Sequence, residues 1–205
     1  MLDLFIGILQ LTALIFIFSF HNYIKALAAV RLGDDTPKRS GFLTLNPIPH
    51  IDIFGTLILP AIFILLKSPL ILGWPKVVPI DYSRLHKSGG LILTVVSIVS
   101  YFLIAGIGYI LYKVVTNLSL PYTVEAPLAT LFQFITIISS FFGFLNLFPI
   151  PPLDMGIILL LLFGKKMYEI QSYSLWGSLA VIILFVSGIF GYLFQPFYKF
   201  LISLF

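Results

Sequence analysis

A chain of 205 residues that is 60% hydrophobic and 10% charged, with a mean hydropathy of +1.09, is an integral membrane protein by composition. The net charge of +4 is too small and too scattered for a nucleic-acid surface, and the absence of cysteine excludes disulfides and thiolate metal sites. The length suits one membrane domain, with a core over about 4–163 and a C-terminal helix over about 174–205.

In chain order, Leu4 to about Leu32 reads as one helix, apolar to Phe20 and then carrying His21, Asn22, Lys25 and Arg31 before Gly33 ends it. The first 20 residues start with Asp3 and lack a basic leader, so they read as a retained span. Thr36–Pro49 and Gly73–Ile80 alternate enough to predict a small β element at the membrane surface. Between them, Ile51–Leu66 is apolar but shorter than the roughly 20 residues a span needs. If it is a re-entrant hairpin, Arg31, Lys38, Arg39, Lys67, Lys76, Arg84, Lys87, Lys165 and Lys166 share one side, and Lys113 and Lys199 the other. That bias follows the positive-inside rule and predicts an extracytoplasmic N-terminus. Leu91–Val115, Leu128–Phe148 and Ser174–Phe194 read as further spans. The expected fold is thus all-α and polytopic, with about four full transmembrane helices, a re-entrant hairpin, a broken helix and the β element.

The break is F-L-N-L-F-P-I-P-P-L-D-M-G, Phe144–Gly156, where Pro149, Pro151 and Pro152 remove backbone donors and Asp154 follows as the segment's single acid. Broken backbone at membrane depth survives only where protein or water covers it, and an ionisable residue there marks function. His21 and Lys25, four apart on the first helix, share a face, with Asn22 on its flank. A buried Asp154 needs a partner, and Lys25 or His21 can supply one. His50 and Asp52 sit where the chain enters the short apolar run.

Taken together, His21 at its helix end, R-L-G-D-D-T-P-K-R-S-G-F-L-T-L-N-P-I-P-H-I-D, G-W-P-K-V-V-P-I and N-L-F-P-I-P-P-L-D-M-G make the chain resemble site-2-protease-like intramembrane zinc metalloproteases of the short, mainly prokaryotic branch. The resemblance implies a prokaryotic cytoplasmic-membrane location and zinc held by H-E-x-x-H and L-D-G. It maps His21 and Asp154 onto metal ligands, Asn22 onto the general base and Lys25 onto a missing ligand. It further implies that Asn146, Pro149 and Pro151 touch substrate. Asn46, His50 and Asp52 match family positions, whereas Met155 replaces a glycine, and V-S-I-V-S-Y (Val96–Tyr101) keeps nothing of the family's A-G-P-x-x-N.

These departures have chemical consequences. A neutral amide cannot act as a base near pH 7, a loss of roughly 10²–10⁴-fold. An ammonium about 4 Å from Zn²⁺ would repel it by around 8 kcal/mol at an effective dielectric of 20. The expectation is therefore a non-catalytic family member with no cofactor, in which a Lys25–Asp154 pair stands where the metal would be. Its partners would be the bilayer and a single-pass membrane protein or peptide segment. The alternative is an active zinc endopeptidase with an altered site built from His21, His50 and Asp154.

Overall fold

The computed structural model describes residues 2–66 and 73–205; Lys67, one of the residues in the charge argument, lies outside them. Helix α1 (Leu2–Arg31) ends at Gly33, whose φ of +103° suits a residue without a side chain. A single turn, α2 (Thr36–Arg39), follows. A 3₁₀ turn (Ile48–His50), a π-helical stretch (Ile53–Ile58) and α3 (Leu59–Leu65) come next. The remaining helices are α4 (Lys87–Asn117), α5 (Tyr122–Leu145), α6 (Asp154–Leu162), α7 (Met167–Val186) and α8 (Ile189–Ile202).

Among the described residues three helices, α1, α4 and α5, are long and apolar enough to cross a membrane, and they form the core. Ala13, Leu14, Ile17 and Phe18 of α1 recur at helical spacing and bury against Tyr101 and Ile104 of α4 and Ile135, Ile138 and Phe142 of α5. Lipid does not drive helices together, so small residues and interhelical hydrogen bonds have to. Gly108 of α4 sits so close to Thr136 of α5 that a Cβ would lie 2.8 Å from its Oγ1, and Ser139 Oγ donates to the Tyr101 carbonyl at 2.6 Å.

Two expectations are corrected. No strand occurs among the described residues. Around Thr36–Pro49, side chains take the backbone donors a ladder would need: Asp34 Oδ1 accepts from Thr36 N, Thr44 Oγ1 from Asn46 N, and Asn46 Oδ1 from Ile48 N. In the return segment, Pro75 and Pro79 lack donors altogether. The proposed span Ser174–Phe194 is not one helix either. Gly188, at φ +77°, turns the chain so that the α7 segment Trp176–Leu184 and α8 are bent by 64°, making a fourth span only if the bent pair is taken as one.

The segment Ile53–Leu65 rises only about 20 Å, short of the roughly 30 Å hydrocarbon core. The chain then comes back beside its own entry: Trp74 N donates to Gly55 O at 3.1 Å and Lys76 N to His50 O at 2.9 Å. A Cβ at Gly55 would overlap the Trp74 ring, so glycine is what lets the two arms close. The result is a hairpin whose extended return arm lies next to α1.

Candidate functional site

In its C-terminal third α1 presents His21, Asn22 and Lys25 on adjoining faces to a cavity shared with α4, the return arm and α6. The proline loop delivers the opposite wall. After α5 ends, Asn146 bridges the break: its carbonyl accepts from Met155 N at 2.9 Å and its Oδ1 from Asp154 N at 3.3 Å. Asp154 thus opens α6, where the helix's free N–H groups favour a carboxylate. Gly156 and Gly177 let α6 and α7 close on the loop, since a Cβ on either would overlap the backbone of Ile150 or Pro151. Pro149 is exposed on that loop and Pro151 is half-buried.

Between these walls lies a cavity of about 330 Å³, lined by Lys25, Asp154, Ser97, Asn146, Tyr101 and Trp74 among others. Lys25 Nζ stands 3.9 Å from Asp154 Oδ1, with the side chains 22% and 8% exposed. The distance is that of a loose ion pair, leaving ammonium protons free for a further acceptor in the cavity.

His21 is buried and stacked on Tyr101, ring centroids 3.9 Å apart, with Nδ1 2.7 Å from Ser100 Oγ. Ser100 gives its one proton to the Ser97 carbonyl at 2.7 Å, so the proton between Ser100 and His21 belongs to the imidazole. Asn22, 2% exposed, donates Nδ2 to the Lys76 carbonyl at 2.8 Å and thereby fastens the return arm to α1. A carboxylate there would set two acceptors against each other. Sequence reasoning missed Ser100, Tyr101 and the Asn22–Lys76 contact. The signal for the first two was present in V-S-I-V-S-Y, whose two serines three apart make a polar face on an otherwise apolar helix.

His50 lies outside the cavity lining. Its Nε2 bonds the Thr44 carbonyl at 2.9 Å, its ring meets Phe42 edge-on, and burial holds its pKa below the usual value, partly offset by that carbonyl. Asp52 caps the π-helical stretch by accepting from Gly55 N at 2.7 Å.

Helices of spanning length around a charge-paired cavity define a polytopic membrane protein with a buried polar site. One relative, "Putative zinc metalloprotease YwhC" of Bacillus subtilis (strain 168), is 32% identical over 193 residues, covering 89% of this chain and 82% of its own. The chain belongs to the zinc-metalloprotease family that this relative represents. No family model matches, and no solved structure matches.

The donors described around His21 and Asp154 fall short of a zinc site. Structural and catalytic zinc takes at least three protein ligands, and among the described residues no group of three His, Cys, Asp or Glu side chains could hold one. Beside Asp154, Lys25 brings a positive charge to the carboxylate, where a cation would have to compete with it.

Proposed function

We propose that this chain is a site-2-protease-type membrane protein that has exchanged hydrolysis for binding: a pseudoprotease whose cavity and return arm hold an unwound segment of a membrane partner. The Lys25–Asp154 contact supports this reading best, because one fixed charge then does electrostatically what a divalent ion would do. Asn22, at the position of the base, has a structural hydrogen bond instead of a reactive proton acceptor.

A binding role is supported by the free side of the return arm. Trp74 and Lys76 use their N–H and C=O groups inward, on Gly55, Thr56, His50 and Asn22. Val77, 83% exposed, makes no backbone hydrogen bond within the described residues, and in an extended chain its groups face the other way. An extended peptide can add there as a strand, beside the proline loop with Asn146, Pro149 and Pro151.

The test is the double reversion Asn22→Glu with Lys25→His, purified beside the parent and assayed for bound metal and for cleavage of a transmembrane peptide. Stoichiometric zinc and hydrolysis confined to the revertant are the expected result. Zinc and cleavage in the parent, lost on His50→Ala, would instead establish an active enzyme with an altered site.

A further inference from the structure

A second hollow, about 260 Å³, lies between α1 and α4 and shares no residue with the charge-paired cavity. Ile24, Leu27, Ala28 and Arg31 line it from α1, three and four residues apart along one stripe, and Ile92 and Val96 face them from α4. Ala28 is the small residue between larger neighbours and gives the hollow its depth. The lining is hydrocarbon except for Arg31, the last residue of α1, which is exposed and makes no hydrogen bond or ion pair among the described residues. A 30-residue helix is about 45 Å long, so the end of α1 projects past a hydrocarbon core of roughly 30 Å into the headgroup layer. An exposed guanidinium at headgroup depth, over an apolar slot, is complementary to a phosphate carried on an acyl chain.

We propose that the α1–α4 groove is a site for an anionic phospholipid, its phosphate on Arg31 and one acyl chain along Ile24, Leu27, Ala28, Ile92 and Val96. Arg31 supplies the preference for an anionic headgroup, and the slot supplies the requirement for a chain. No residue that lines the groove lines the charge-paired cavity, so the groove can be altered while His21, Lys25 and Asp154 are left in place.

The chain, delipidated in detergent, is titrated with phosphatidylglycerol and with phosphatidylcholine of the same acyl chains, read by native mass spectrometry and thermal unfolding. Wild type retains phosphatidylglycerol and gains thermal stability from it more than from phosphatidylcholine. Arg31→Gln weakens phosphatidylglycerol binding about fivefold, the effect of one basic residue at the surface, and Arg31→Lys keeps most of it. Ala28→Leu, filling the slot, weakens both lipids. Equal binding of the two lipids by wild type would overturn the proposal. So would an undiminished phosphatidylglycerol preference in Arg31→Gln, a surface change that leaves folding intact, or equal stabilisation by inorganic phosphate.

Discussion

Asn22 shows how one side chain decides what a site can be. Its side-chain amide is a donor, and its bond to the Lys76 carbonyl holds the return arm in place. Asn22→Asp, similar in shape but without the donor, should cost about 1–3 kcal/mol, the penalty of an unmet buried group, and appear as a lower unfolding temperature in detergent. Lys25→Ala should cost about 3 kcal/mol, the low end for breaking a buried pair, because Lys25 keeps 22% of its surface exposed. Lys25→Met combined with Asp154→Leu should recover most of that loss. His50 adds a pH dependence whose sign follows from its lowered pKa. The unfolded state binds the proton more readily, so stability is full above the ordinary value of 6.5 and falls as pH drops below it. His50→Gln should flatten that part of the profile of unfolding temperature against pH.

Among elements, the hairpin and the proline loop differ in how far the sequence announces them. The loop was legible because three prolines and one acid within a dozen apolar residues leave few alternatives, and α6 starts where that pattern ends. The hairpin was legible only as a run too short to span. That its return arm would hang from Gly55, His50 and Asn22 instead of forming a ladder depends on contacts between residues far apart in the chain. Strand propensity in Thr36–Pro49 was misleading because propensity carries no account of the Asp34, Thr44 and Asn46 side chains that take the same donors. Asp34 reaches further, accepting from Asp81 N at 2.8 Å while fully buried, so it fixes the segment after the return arm to the end of α1. Within the hairpin, Gly55→Val should drive the Trp74 ring from its seat while the helices persist. In a Trp176→Phe background, where Trp74 is the remaining tryptophan, its fluorescence should shift with little change in far-ultraviolet circular dichroism.

For the whole molecule, the charge distribution and the hairpin argue for one orientation. A chain without cysteine allows this to be measured with single introduced thiols. Ser40→Cys and Ser83→Cys should be labelled from the same side of the membrane, the cytoplasmic side on the basic-residue bias, and Asn117→Cys from the other. Labelling of Ser40→Cys and Ser83→Cys from opposite sides would mean that the hairpin crosses.

The partners of the central ion pair stand 129 positions apart, one on the first helix and the other three-quarters of the way along the chain. During synthesis the lysine therefore enters the bilayer long before its counter-charge exists. Its place six residues from the end of α1 lets the amine reach back to the headgroups in the meantime. Only the arrival of the proline loop can draw it inward, so that contact marks a late step of biogenesis. Nascent chains stopped short of that loop should retain an exposed amine and be recognised by membrane quality control as unfinished.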